Sequence, residues 1–305
     1  MGNWKLRGPG VSERSAQYIS VIIPTYRDWD RLALCLDALA QQDLDQKKFD
    51  VVVANNDPND IPPSSLVLAE NTRIVNAPEP GSYAARNAAL YSASAPLLAF
   101  TDADCIPETD WLSSAVKFME QNNDVGVAAG RIKLFWKDAR PTTVELCDSI
   151  FFLRQENYAA AGYAATANVI TRRSIFDAVG TFNATMMSGG DKEWTMRVVA
   201  AGHKLVYAPQ VVINHPARRS FAAMQRKSRR IAGGVIAKKR ADGKRFVLPQ
   251  IDRLIPSVRV ARKLAYQEQL YLWDGIRVFA LFYALRVTIL GEQIRLMLPW
   301  TRYKT

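Results

Sequence analysis

Two carboxylates one residue apart, Asp102-Ala103-Asp104, follow the apolar run Leu97–Phe100. Side chains at a strand end are freed from the pleat. The pair can therefore turn toward one point and offer hard oxygen ligands to Mg²⁺ or Mn²⁺ bridging phosphate oxygens. Acidic pairs at strand ends are also commonplace, so the spacing alone leaves a metal site and a solvated turn both open. Gly81-Ser82 opens a helical pattern with Arg86 one turn in. Backbone N–H groups and a guanidinium placed there can meet an anion together, or simply form a helix start with a surface arginine. In Ser188-Gly189-Gly190-Asp191-Lys192-Glu193-Trp194, two glycines precede acidic residues at the start of a helical pattern. Glu193 and Arg197 stand at i,i+4 and are expected to pair on the helix surface. Asp191 does not share that face. It either complements the helix dipole or, with glycines allowing close approach, takes a proton from a hydroxyl. His215 ends the strand-like run Lys204–Ile213 just before Pro216, placed as a third metal ligand or as a capped surface histidine.

These residues need a scaffold, and the first two thirds of the chain supplies one. Short β-branched runs at Ile19–Ile23, Asp50–Ala54, Arg73–Asn76, Pro96–Thr101 and Val125–Ala129 alternate with helical patterns at Trp29–Gln42, Tyr83–Ser92 and Trp111–Gln121. That order predicts an α/β fold with a mostly parallel sheet covered on both faces. Ligands of such sheets bind beyond the carboxyl ends of the strands. Pro24-Thr25-Tyr26, Asn55-Asn56-Asp57, Pro80-Gly81-Ser82 and Asp102-Ala103-Asp104 all fall there.

The chain has 305 residues, 49% of them hydrophobic, enough for one large or two ordinary domains. Cys35, Cys105 and Cys147 are odd in number and widely spaced, which excludes a disulfide framework and a zinc knuckle and points to a reducing compartment. The opening MGNWKLRGPGVSERS has no long apolar stretch and no Ser/Thr at position 6, so neither a secretory signal nor myristoylation is expected, and the chain is expected to start in the cytoplasm. The net charge of +11 is uneven. Residues 1–215 carry 20 Lys/Arg against 24 Asp/Glu, whereas residues 216–305 carry 20 against 5, a balance of +15. Such a segment seeks an anionic partner: nucleic acid, an acidic membrane surface or a phosphorylated substrate.

Beyond residue 216 a basic run, Arg218 to Arg230, leads through Gly233-Gly234 to a second, Lys238 to Arg245, and reads as a mobile connection. The apolar stretch Ile276–Leu290 is 15 residues with Arg286 inside it, short of the ~20 apolar residues a spanning helix needs. Lying on a membrane fits better than crossing it, with helix-pair core or an oligomer interface as the alternative. Arg277 and Arg286, nine positions apart, fall on opposite sides of a helix.

Taken together, ISVIIPTYRDWDRL, VVVANNDPND, EPGSYAARNAAL, FTDADC, GGDKEW and INHP resemble, in that order, the inverting family 2 glycosyltransferases with a GT-A (Rossmann-like) fold. The resemblance covers roughly residues 18–235, preceded by a tail (1–17) and followed by a basic, mostly helical extension (236–305). It implies transfer of a sugar from a nucleotide diphosphate donor, a UDP-sugar first, to an acceptor hydroxyl with inversion. It also implies residue roles. Pro24, Thr25, Tyr26 and Asn56 would line the nucleotide pocket, and Arg86 would contact the nucleotide or its diphosphate. Asp102 would approach the ribose or sugar, Asp104 would hold Mg²⁺ or Mn²⁺ with His215, and Asp191 would be the catalytic base. Arg226, Lys227, Arg229 and Arg230 would offer charge to the leaving diphosphate.

Three features depart from the family pattern. Asn55 and Asn56 replace the usual paired aspartates, so base recognition would rest on amide hydrogen bonds. Gly190 stands where an acidic residue usually precedes the aspartate. The QxxRW signature of processive synthases is absent from the basic segment. Single addition to a polyprenyl-diphosphate-linked or other glycolipid or saccharide acceptor, in surface polysaccharide assembly at the inner face of the cytoplasmic membrane, is the resulting expectation. A nucleic-acid-binding protein is the non-enzymatic alternative. Phe279, Phe282 and Tyr283 count against it, sitting in apolar runs rather than among basic clusters. A sugar nucleotidylyltransferase is the other enzymatic one, opposed by Pro24-Thr25-Tyr26 where its Gly-rich loop would be.

Overall fold

The computed structural model describes residues 17–241, 249–267 and 270–297. The N-terminal opening read above for targeting signals lies outside these, as do residues 242–245 of the second basic run. Contacts divide the chain into two units, one containing the chain up to Lys133 with Gln155–His215, the other Leu134–Arg154 with the chain from Pro216.

Strands β1 (Ile19–Thr25), β2 (Phe49–Asn55), β3 (Thr72–Asn76) and β4 (Leu97–Thr101) lie parallel, in the order β3-β2-β1-β4. Val21 stands beside Val51 and Ala99, and Ile22 beside Val52 and Phe100. All residues of β2 and β4 are buried, as mainly apolar runs in a doubly covered sheet require. Successive residues face opposite sides. Ile19, Val21 and Ile23 join α1 (Trp29–Ala40) and α3 (Trp111–Gln121) in one apolar layer. Ile22 joins α2 (Ser82–Ser92), α6 (Arg173–Val179) and α7 (Gly190–Ala200) in the other.

Parallel pairing stops at β4. The sheet continues through β7 (Asn168–Arg172), β6 (Val125–Phe135), β8 (Lys204–Pro216) and β5 (Ile106–Pro107), with β7 antiparallel to β4 and to β6, and β5 antiparallel to β8. The antiparallel half brings β8, which carries His215, into the neighbourhood of the β4–β5 turn.

The second unit is helical: α4 (Thr143–Phe151), α8 (Phe221–Ala241), α9 (Val258–Ala265) and α10 (Leu272–Met297). A short helix α5 (Gln155–Ala160) belongs to the first unit. Thr142 and Glu145 cap α4 reciprocally. Cys147, Ile150, Met224, Val260, Leu264, Val278 and Leu285 form the core, and Phe151 stacks on Phe282 at 4.0 Å. Asp148, fully buried, takes hydrogen bonds from the Arg218 backbone N–H (3.0 Å) and guanidinium (3.1 Å).

The connection read as mobile around Gly233-Gly234 is instead part of α8, unbroken to Ala241. Met224, Ser228, Ala232 and Ile236 are buried at successive four-residue steps, so one face of the helix is fixed by packing. Burial of that face outweighs a cost of about 1 kcal/mol per helical glycine. The expected boundary between residues 235 and 236 thus falls inside a helix.

Candidate active site

Asp102-Ala103-Asp104 forms the turn between β4 and β5. A carboxylate oxygen each from Asp102 and Asp104, Cys105 Sγ and a His215 ring nitrogen all lie within 4.8 Å of one another. Asp104 also accepts from Arg31 at 3.3 Å. Two carboxylates and an imidazole suit a hard or borderline divalent ion. Cys105 is a poorer donor. Burial first, and the neighbouring carboxylates second, push its thiol well above the ordinary range. The structure therefore brings together the three residues singled out for metal binding, from two strand ends far apart in sequence.

Arg86, nearly fully buried in α2, forms an ion pair with Asp102 and donates to the Ser82 carbonyl at 3.3 Å. Its Nε, with Thr25 Oγ1 at the end of β1, is buried without a hydrogen-bond partner among the described residues. Buried polar atoms are ordinarily satisfied, so these two are suited to a polar ligand. Tyr26 is 59% exposed beside them, with the Arg27 guanidinium 5.4 Å from its ring centre. Gly81, before α2, has φ of +110°, a conformation that favours glycine.

Asp191 lies in the first turn of α7. Its Oδ1 accepts from the Tyr83 hydroxyl at 3.0 Å and from the Lys192 backbone N–H at 2.8 Å. Burial of Tyr83, with the Asp191 charge next, raises its phenol far above its ordinary value, so the hydroxyl keeps its proton and donates. The Arg86 guanidinium sits 5.5 Å from the Tyr83 ring centre. Asp191, Tyr83, Arg86 and Asp102 thus form one contiguous chain of side chains. Glu193 and Arg197 pair at 2.6 Å, as their spacing predicts.

The structure explains one departure from the family pattern. A Cβ on Gly190 would come within 2.8 Å of the Tyr83 ring, so the aromatic ring occupies the space a side chain there would need.

Two side chains expected at the donor are engaged with the protein itself. Asn56 donates through Nδ2 to the carbonyls of Ala77 (2.8 Å) and Glu79 (2.7 Å), and its Oδ1 accepts from the Gly81 N–H at 2.9 Å. With both amide hydrogens committed to backbone, Asn56 braces the loop ahead of α2. Lys227 turns inward, its Nζ 4.0 Å from buried Asp148 and 4.5 Å from the Phe152 ring centre. Arg226, Arg229 and Arg230 lie on α8 of the second unit, exposed to solvent, and Arg229 lines a cleft of about 500 Å³ with Thr288, Glu292 and Arg295.

Sequence reasoning missed Tyr83 as a partner of Asp191, and also the pair Arg27–Asp57 (2.7 Å), in which the Arg27 hydrogen bond holds the Asp57 carboxyl below the usual carboxylate range. For Tyr83 a signal existed, because it stands at i,i+3 from Arg86 and so shares its helix face.

The sheet of this order, with acidic and basic side chains gathered at its strand ends, is a mixed α/β fold with a candidate ligand site at those ends. Residues 20–184 match the family described as Glycosyl transferase family 2. Glycosyltransferase AglE of Haloferax volcanii is 32% identical over 225 residues, covering 72% of this chain and 73% of that protein. A pre-mycofactocin glycosyltransferase of Mycobacterium tuberculosis is 30% identical over 145 residues, which are 45% of this chain and 30% of that protein. The chain belongs to glycosyl transferase family 2, and is a glycosyltransferase. Among solved structures, the mannosyltransferase PcManGT from Pyrobaculum calidifontis, in complex with GDP-Man and Mn²⁺, superposes with a TM-score of 0.59 at 18% identity over 92% of this chain and 87% of that one. S. aureus TarS 1-349 in complex with UDP-GlcNAc gives 0.52 at 17% identity over 91% and 89%. These likenesses are of fold, and the fold is GT-A.

Proposed function

We propose that the chain transfers one sugar, with inversion, from a nucleoside diphosphate sugar, a UDP-sugar first, to a hydroxyl of a lipid-linked or saccharide acceptor. The continuous link Asp191–Tyr83–Arg86–Asp102 carries this reading, because it sets a carboxylate at one end of a line of side chains whose other end is cationic and acidic.

In this reaction the acceptor oxygen attacks the anomeric carbon, its proton passes to Asp191, and the bond from that carbon to the diphosphate oxygen breaks. Tyr83 holds the Asp191 carboxylate in place. Arg86, with an Nε not engaged by hydrogen bonding among the described residues, meets the diphosphate, and Thr25, Tyr26 and Pro24 line the nucleotide. Asp104 and His215, with Asp102 beside them, would hold Mg²⁺ or Mn²⁺, which supplies charge to offset the leaving diphosphate. One base suffices for a single displacement.

The sequence balance of +15 over residues 216–305 favours attachment to an anionic cytoplasmic leaflet, where a lipid-linked acceptor of surface polysaccharide assembly would be at hand. None of the described helices is long and apolar enough to cross a membrane.

A panel of UDP- and GDP-sugars, scored by thermal stabilisation with and without Mn²⁺, tests the donor and metal assignments together. Binding at 100 times the dissociation constant adds about 2.7 kcal/mol of stability. A metal-dependent shift with one class of donor supports the reading, and no shift with any nucleotide sugar overturns it.

A further inference from the structure

The outward face of α10 inverts the usual arrangement of a surface helix, whose exposed side is polar. The large exposed side chains of α10 are Leu272 (77% exposed), Trp273 (71%), Ile276, Val287 and Ile294, with alanine and glycine filling the other uncharged exposed positions. The exposed charges of α10 are Arg277 and Arg295; its two acids, Asp274 and Glu292, are half-buried and paired with those arginines. Its opposite face is already used, since Val278, Leu285 and Phe282 belong to the core of the second unit. On α9, Arg259 and Arg262 are exposed and no acid stands among its residues. Tyr266, after α9, and Tyr271, before α10, are 81% and 80% exposed.

This pattern fits one environment. Tyr and Trp concentrate where bilayer meets water, and an in-plane helix buries an apolar face about 5–10 Å deep with arginines reaching the headgroups. Arg277 and Arg295 are 18 residues apart, hence on the same side of the helix and about 27 Å apart along it at a 1.5 Å rise. Arg286, halfway between, falls on the other side and lies over the Phe282 ring at 4.6 Å. A second copy of the chain is a poorer occupant. A two-fold contact sets a surface against itself, which would bring the α10 arginines together with no exposed acid among the described residues of α9 and α10 to meet them.

We infer that the exposed face of α10, with Tyr266, Tyr271 and Arg259 and Arg262 of α9, seats the second unit in the headgroup boundary of an anionic bilayer. This assigns a surface to the attachment proposed above and rests on that reading.

The test is flotation of the full chain with phosphatidylcholine vesicles, with and without phosphatidylglycerol, for the natural sequence and for a Leu272→Asp, Val287→Asp double variant. Both positions are exposed, and an unchanged thermal shift with nucleotide sugar verifies that the variant folds. The expected result is binding to phosphatidylglycerol vesicles that weakens at least tenfold in the variant. If the natural chain ignores anionic vesicles, attachment and surface both fall. Equal binding by the variant overturns the surface alone and leaves attachment to the remaining basic residues. A dimer that the variant dissociates, with vesicle binding unaffected, would assign the face to a second copy instead.

Discussion

The Tyr83 hydroxyl donates to Asp191 Oδ1 across 3.0 Å, joining the second residue of helix α2 to the first turn of helix α7, 108 positions later in the chain. One turn further along α2, Arg86 pairs with Asp102. A single helix face therefore fixes both a carboxylate suited to proton transfer and one suited to the donor.

Replacing Tyr83 by Phe keeps the ring packed against Phe182 at 5.9 Å and removes only the hydroxyl. A hydrogen bond to a charged group contributes about 1.5–3 kcal/mol, so kcat should fall by about tenfold or more while donor affinity holds. Steady-state kinetics with donor and acceptor varied separately reads this, and an unchanged kcat would leave Tyr83 a packing residue only.

Gly190→Glu restores the family's more usual acidic residue but drives its Cβ into the Tyr83 ring, 2.8 Å away. Overpacking of this kind costs about 1–3 kcal/mol. Thermal melting should show the loss, and the same substitution in a Tyr83→Ala background should cost less. Equal costs in both backgrounds would mean the ring is not what excludes a side chain there.

Asn56→Ala removes three hydrogen bonds from the loop ahead of α2. The expected consequence is a lower melting temperature and weaker binding of every nucleotide sugar alike. A changed preference between UDP- and GDP-sugars would instead show that Asn56 reads the base.

Cys147 is buried, and desolvation, reinforced by neighbouring Asp148, pushes its thiol up to about 12. The folded state therefore keeps a proton that the unfolded thiol loses near its ordinary pKa of about 8.5. Its contribution to stability is complete below that pH and declines as pH rises toward the folded value, by at most about 1.4 kcal/mol per unit. Urea midpoints between pH 7.5 and 10 should fall less steeply in Cys147→Ala, and iodoacetamide should label Cys147 slowly until the chain unfolds. Rapid labelling of the native protein would contradict the burial.

Much of this arrangement was legible in the sequence, for physical reasons. The runs in β1, β2 and β4 are mainly apolar because both sheet faces are covered, and Asp104, His215 and Asp191 stand beside turns and glycines that mark strand ends and helix starts. What escaped depends on tertiary contact. The reversal of direction at β7 turns on a five-residue segment with only Val169 and Ile170 as a clear apolar pair. Gly233-Gly234 reads locally as a break, and only packing of its neighbours keeps α8 whole. The commitment of Asn56 to backbone carbonyls 21 and 23 residues away carries no local mark at all.

The most direct measurement of the account is transfer and donor binding by Asp191→Asn, a substitution that keeps the shape and can still accept from Tyr83 while losing the basic carboxylate. Nucleotide-sugar binding by thermal shift should be retained and sugar transfer reduced by at least about a hundredfold. An Asp191→Asn enzyme that transfers sugar at the natural rate would contradict the assignment of the base.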